Sequence, residues 1–167
     1  MKLTARILQF AVGATVVAFL MGASDNPAVG TWKLDLTASK SSTGSLPKSA
    51  MRTVQEQGNG MSVSYEFVEP DGSVDKYNYT ASFDDQDAPI TGSGEPNWRQ
   101  TRIGGAETIA VRRAGSNTFS EALKKSGNVV MTTRTVVSKK GTVTTITMNG
   151  ADPKGQPTKD VLIFDKQ

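Results

Sequence analysis

Aromatic side chains recur at alternate positions in two neighbouring segments of the sequence. They are Tyr65, Phe67, Tyr77, Tyr79 and Phe83. Alternate residues of a β-strand point to the same face, so pairing the two segments in phase would bring these rings into one wall. Such a wall could be packed core, or it could line a pocket for a small apolar molecule whose polar atoms bind the tyrosine hydroxyls. Both interpretations stay open, and the five rings are our candidate ligand-binding residues.

A single arginine in a β-branched segment, Arg134, could bind an anion. If Val130 and Val136 face the interior, Arg134 does so too, and its guanidinium could donate a fork of hydrogen bonds to a carboxylate. If Met131 and Val137 face the interior instead, Arg134 lies in solvent. We expect the second arrangement and keep Arg134 as a further candidate ligand-binding residue.

The composition argues against an enzyme. The chain has no histidine and no cysteine, so it lacks the usual general base, the commonest transition-metal ligand and the thiol nucleophile. An acidic turn at Asp84, Asp85 and Asp87 offers oxygen ligands, but its spacing does not match a calcium-binding loop. We therefore expect no catalytic residue, no metal site and no cofactor.

The first residues have the pattern of a secretory signal peptide. The basic residues Lys2 and Arg6 precede an uncharged apolar stretch over 7–21, and small residues follow. A membrane-spanning helix needs roughly 20 apolar residues, and this stretch is shorter. The sequence thus predicts a signal peptide over 1–24 and a periplasmic or secreted domain over 25–167.

The formal net charge of +3 does not indicate a nucleic-acid partner. Two of the basic residues lie in the predicted signal peptide, and the others are scattered rather than clustered on one segment. We expect a monomer without a membrane span once the signal is removed, with a small hydrophobic ligand or a protein as its partner.

The rest of the chain alternates short β-type runs with turn residues. Gly58 to Gly60 and Asp71-Gly72, for example, separate runs in which apolar and polar residues alternate, which is typical of strands with one buried face. No stretch after Ser24 shows a helical period. We predict strands near 29–37, 50–57, 61–69, 74–83, 106–113, 117–125, 129–138, 142–149 and 157–165, with one or two short strands between 88 and 104.

This spacing predicts an all-β protein, a single up-and-down antiparallel β-barrel of about 8–10 strands. Closure into a barrel removes both edges of the sheet. A two-sheet β-sandwich is the alternative, but sandwiches usually require long crossing connections. Only the connections at 37–49 and 86–105 are long, and loops of that length are often functional.

The start of the first predicted strand, Gly30-Thr31-Trp32, resembles the Gly-x-Trp motif of the calycins, the group that joins lipocalins and fatty-acid-binding proteins. The wider sequence resembles small exported bacterial lipocalin-like proteins of unassigned function. The resemblance implies a barrel whose Trp32 closes one end, with a cation packed across the indole. It also implies a carrier of a small apolar or amphipathic molecule.

One departure from the resemblance concerns the ligand. Fatty-acid-binding proteins hold a carboxylate with Arg-x-Tyr on the last strand, where this chain has Leu162 and Phe164. We therefore expect any ligand to be held by apolar and aromatic contact, without a buried carboxylate clamp. The alternative is a solid barrel that acts through its loops in the cell envelope, with Trp98 exposed on the 86–105 connection.

Overall fold

The structure is a computed structural model that describes residues 26–43, 46–152 and 154–167. The predicted signal peptide lies outside these residues. The elements are β1 (Gly30–Ser41), β2 (Ser49–Gln57), β3 (Gly60–Val68), β4 (Val74–Ser82), β5 (Asp87–Pro89), β6 (Thr91–Ser93), α1 (Trp98–Ile103), β7 (Thr108–Gly115), β8 (Thr118–Lys125), β9 (Asn128–Val137), β10 (Val143–Ala151) and β11 (Pro157–Lys166).

The strands form one antiparallel sheet that curls into a nearly closed barrel. Their order is β5-β7-β8-β9-β10-β11-β1-β2-β3-β4-β6, so each long strand pairs with its sequence neighbour and β1 pairs with β11. β4 and β7 lie side by side at the seam, where β6 pairs with β4 and β5 with β7. The predicted up-and-down barrel is confirmed and the sandwich is not formed.

The turns explain why the chain reverses where it does. The β3–β4 and β9–β10 turns place Gly72 and Gly141 at φ 91° and 67°, a region that glycine enters without steric cost. Nine long strands coincide with the predicted ones, and the short strands β5 and β6 lie in the long connection after β4.

The first strand is longer than the sequence predicted. It continues past residue 37 to Ser41 because a bulge between Asp35 and Lys40 lets the chain resume its pairing with β11. The Asp35 carboxylate stabilises this bulge by accepting hydrogen bonds from the backbone N–H of Thr37 and Ala38 at 2.8 and 3.2 Å. Local side-chain bonding of this kind breaks the alternation that reveals strands in a sequence.

The expectation of no helix is wrong at one place. α1 occupies six residues, and Gly104 caps its C-terminus in the left-handed conformation, a common helix stop. Fewer than two turns give no detectable helical period. Among the residues described, no helix is long and apolar enough to cross a membrane.

The two ends of the barrel differ in the elements that form them. Residues 26–29 and the β2–β3, β7–β8 and β9–β10 turns form what we call the closed end. α1, the β3–β4 turn and the chain between β1 and β2 form the open end. The core fills the space between them with the inward side chains of the long strands.

Candidate ligand site inside the barrel

Most of the predicted aromatic wall exists on the interior faces of β3 and β4. Tyr65 lies opposite Tyr77 in the strand register, and their stacked rings are 4.7 Å apart between centroids. Phe67 stacks on both, at 5.6 and 5.9 Å. Tyr79 is buried on the same face. From α1, Trp98 extends the stack with its ring centroid 6.1 Å from that of Tyr77.

The fifth predicted ring, Phe83, does not join this wall. It follows the end of β4, is half-buried, and packs against Phe119 at 5.5 Å between centroids. β4 ends at Ser82, so the alternation that would have aligned Phe83 with the tyrosines no longer applies.

Arg134 lies on the outer face of β9 and is exposed. Thr133, Thr135 and Val137 take the interior positions of this strand, as in the arrangement that we expected. Arg134 therefore does not face the interior of the barrel, where the aromatic candidates lie.

The interior does contain a cation, which the sequence reasoning missed. Arg52 on β2 is 0% exposed, and its Nε donates a hydrogen bond of 2.9 Å to Tyr65 Oη. Its Nη1 and Nη2 have no hydrogen-bond partner within the described parts of the chain. Arg52 stands between Ala50 and Val54 in the alternation, so the phase of the apolar residues could have revealed it.

A carboxylate, Glu121, accompanies Arg52 in the interior. It is buried on β8 in phase with Phe119 and Leu123. Its Oε1 accepts a hydrogen bond of 3.0 Å from Tyr79 Oη, and its Oε2 accepts one from Thr133 Oγ1. The interior thus holds a cation and a carboxylate, neither of which the sequence analysis singled out.

The electrostatics of this interior keep the tyrosines neutral and the arginine charged. Burial raises the pKa of Tyr65, and it raises those of Tyr77 and Tyr79 well above their usual value. Burial by itself lowers the pKa of Arg52, but interactions with Tyr65, Tyr79 and Glu121 outweigh it, so that pKa is raised. The site therefore presents neutral hydroxyls beside a permanent positive charge.

A cavity enters the barrel from the open end. Its volume is about 140 Å³, which is smaller than the roughly 300 Å³ of the smallest typical ligand pockets. The lining residues are Thr43, Leu46, Pro47, Phe67, Tyr77, Thr101, Arg102, Met131, Ile146, Met148, Asp160 and Leu162. What it can enclose is a short chain or a single small ring.

The mouth of this cavity is fixed by ion pairs. Arg102 on α1 forms a salt bridge with Glu69, and its Nε lies 3.9 Å from Asp75 Oδ2. Its guanidinium also lies over the Phe67 ring, 5.2 Å from the centroid. Trp98, which we expected to be exposed, is only 8% exposed, because it packs on Tyr77.

Trp32 lies buried near the opposite, closed end and is 0% exposed. Its Nε1 donates a hydrogen bond of 2.9 Å to the Ala28 carbonyl. Lys166 on β11 supplies the cation that the resemblance implied, with Nζ 5.2 Å from the ring centroid. The tryptophan thus ties the start of the domain to its last strand.

Among the residues that the structure describes, no cluster of three or more His, Cys, Asp or Glu side chains could hold a metal ion. In the acidic turn, Asp84 Oδ1 instead accepts a hydrogen bond of 3.1 Å from the Gln86 backbone N–H.

Comparison with known proteins gives a limited result. No family model matches the sequence, and no curated protein matches it. Among solved structures, the chain is similar to a siderocalin, Ex-FABP, described as functioning through dual ligand specificities. The identity is 11%, the TM-score is 0.36, and the match covers 85% of this chain and 75% of that one. This likeness is too weak to bear on function; the strand order and register establish the fold.

Proposed function

We propose that this protein is an exported barrel that binds a small apolar or amphipathic molecule in the cavity at its open end. The observation that carries the proposal is the cavity itself, which has one aromatic side and one aliphatic side. Phe67 and Tyr77 form the first, and Ile146 and Leu162 form the second. Apolar contact with such walls is the main source of affinity for small ligands.

The small volume limits how much of a ligand can be enclosed. A compact molecule fits inside, whereas a longer one places one end in the cavity and leaves the other at the mouth beside Thr101 and Arg102. Affinity should then rise with chain length only until the cavity is filled.

A homologous series of 1-alkanols, from butanol to decanol, tests this proposal. Trp98 reports binding because its ring stacks on Tyr77, which lines the cavity, while the second tryptophan, Trp32, is enclosed at the far end. We expect saturable changes in Trp98 emission and roughly threefold to fourfold tighter binding per added methylene, with a plateau at the length that fills the cavity.

Matched variants locate the binding. Ile146→Phe adds bulk to the cavity wall and should abolish the response, whereas Val129→Phe adds the same type of bulk at an outer position that is 54% exposed and should leave it intact. Trp98→Phe should remove the signal. The absence of a saturable response to every alkanol in the wild-type protein would contradict the proposal.

The second candidate is a solid barrel that acts through its surface. The observation that favours it is the filled interior, since the cavity is only about 140 Å³. This candidate loses its expected docking residue, because Trp98 is buried rather than exposed. It remains the function to pursue if no alkanol binds.

Export is part of the proposal and is supported by the order of basic, apolar and small residues over 1–24. We expect the exported protein to begin near Ser24 or Asp25. N-terminal sequencing of protein recovered from outside the cytoplasm checks this, and a chain that still begins at Met1 would contradict it.

A further inference from the structure

The closed end of the barrel carries a group of cations that lie far apart in the sequence. Arg113 near the end of β7 and Lys139 and Lys140 in the β9–β10 turn line one shallow depression, and all three side chains are exposed. The other lining residues are Pro27, Ser116, Asn117, Ser138 and Gly141. We call this face, with its three cations, the basic surface.

The charges of the basic surface are not neutralised within the described part of the chain. None of the three cations forms a salt bridge there, and no acidic side chain lines the depression. The acidic turn at Asp84 and Asp85 lies at the same end, where the Asp85 backbone N–H binds the Val111 carbonyl, but outside this lining. The basic surface can therefore attract an external anion.

Hydrogen bonds hold the turns of the basic surface in place. Asn117 Nδ2 donates to the Val137 carbonyl at 2.6 Å, which ties the β7–β8 turn to the end of β9. Ser138 Oγ accepts hydrogen bonds from the backbone N–H groups of Thr142 and Val143 at 3.3 and 3.1 Å. The turn that carries the two lysines is thus fixed, and the charges point out from a preformed face.

The chain enters the barrel at this same face. Pro27 lines the depression, and Trp32 Nε1 donates a hydrogen bond of 2.9 Å to the neighbouring Ala28 carbonyl. The apolar stretch of the predicted signal peptide ends at residue 21, so an extended chain reaches at most about 18 Å from there to Asn26. Because a signal peptide lies in the membrane until it is removed, export would bring the closed end out next to the bilayer.

We propose that the basic surface docks the exported protein, closed end first, onto a bilayer that contains anionic phospholipids. This inference goes beyond ligand binding and shares only export with the proposed function. Each lysine or arginine near an anionic bilayer raises the binding constant roughly fivefold, so three cations give a reversible attachment that salt weakens. In this orientation the mouth of the cavity, at the opposite end of the barrel, faces away from the membrane.

Sedimentation of the exported protein with lipid vesicles tests the docking. One set of vesicles contains phosphatidylcholine alone, and the other an equimolar mixture of phosphatidylcholine and phosphatidylglycerol. We expect binding to the mixed vesicles at low ionic strength, a steep loss of binding as salt is added, and no binding to phosphatidylcholine. Equal binding to both sets, or binding to neither, would overturn the proposal.

A pair of double variants assigns the binding to one end of the barrel. Lys139→Gln with Lys140→Gln should weaken binding to the mixed vesicles roughly 30-fold. The matched control, Lys154→Gln with Lys159→Gln, makes the same change in net charge with exposed lysines at the open end, and should keep most of the binding. An equal loss in both variants would show that only the net charge matters, and would overturn the proposal.

A spin label on the lipid head group tests the orientation by NMR. The nitroxide should broaden the backbone amide signals of Ser116 and Lys140, and should leave that of Gly72, in the β3–β4 turn at the open end, unchanged. Broadening at Gly72 without broadening at the other two residues would place the open end on the membrane and contradict the proposal.

A soluble phosphate ester tests whether the basic surface recognises a bilayer or a single phosphate. Glycerol 3-phosphate, added at constant ionic strength, should not release the protein from the mixed vesicles, because one ester does not reproduce the potential of a charged surface. Release would assign the depression to a soluble phosphate ester and overturn membrane docking. Alkanol binding in the cavity is measured separately, so failure of the docking is distinguishable from failure of the proposed function.

Discussion

At the closed end of the barrel the Trp32 indole is enclosed by packing, by its bond to Ala28 and by the Lys166 side chain across its face. At the open end Arg102 forms an ion pair with Glu69 beside a cavity. Apolar burial stabilises the closed end, whereas an ion pair at the mouth of the cavity stabilises the open end. Stability is therefore expected to depend mainly on the first end and ligand access on the second.

The largest expected effect on stability comes from removing the Trp32 side chain, which fills the closed end of the barrel. Trp32→Ala should lower the free energy of unfolding by roughly 3–5 kcal/mol, the usual cost of removing a large buried aromatic side chain. Chemical denaturation measures the change. An unaltered unfolding midpoint would mean that the closed end does not depend on this residue, and the contrast between the ends would disappear.

Alkaline pH tests whether the row of tyrosines between the two ends is shielded from water. The chain has three tyrosines, all buried, and burial raises each pKa. A raised pKa in the folded state gives stability that is complete below the unfolded value of about 10 and is lost as pH rises through the folded values. Tyrosinate absorbance should thus appear only together with unfolding.

The control for this titration is the protein in denaturant, where the three phenols should ionise near their ordinary value. If tyrosinate formed at that same pH while circular dichroism still reported the folded barrel, water would reach the row through the open end, and the enclosed interior would be disproved.

A smaller effect on stability is expected at the mouth than at the closed end. Arg102→Met breaks a pair whose side chains are only 10% and 13% exposed, and we expect a loss of roughly 1–3 kcal/mol with faster amide exchange in α1. Lys76→Met breaks the exposed pair with Glu66 and should cost about 0.2–1 kcal/mol. Equal losses, or faster exchange around Trp32, would contradict the separation of the ends.

The barrel could be predicted from the sequence because its signals are local. Alternation and turn residues fix where strands begin and end, and even the outward facing of Arg134 follows from the phase of Val137. The bulge after Asp35 and the short α1 helix were missed, since neither extends over enough residues to show a period.

The candidate site was harder to predict, because it depends on contacts between distant segments. Arg52 and Glu121 are of types that rarely lie fully inside a protein, so the sequence analysis did not single them out, although apolar residues lie in phase with them. The burial of Trp98 arises from its stacking on Tyr77, some twenty positions earlier in the chain, which no local pattern encodes.

The most direct test of the two-ended account is a titration of the methionine-methyl-labelled protein with 1-hexanol, followed by NMR. Met131 and Met148 line the cavity. Met61, in contrast, is 0% exposed in the core and lies at the start of β3, next to the turn at the closed end. The account predicts saturable shifts of the Met131 and Met148 methyl signals while that of Met61 stays in place. Shifts confined to Met61, or none at the two cavity methionines, would contradict it.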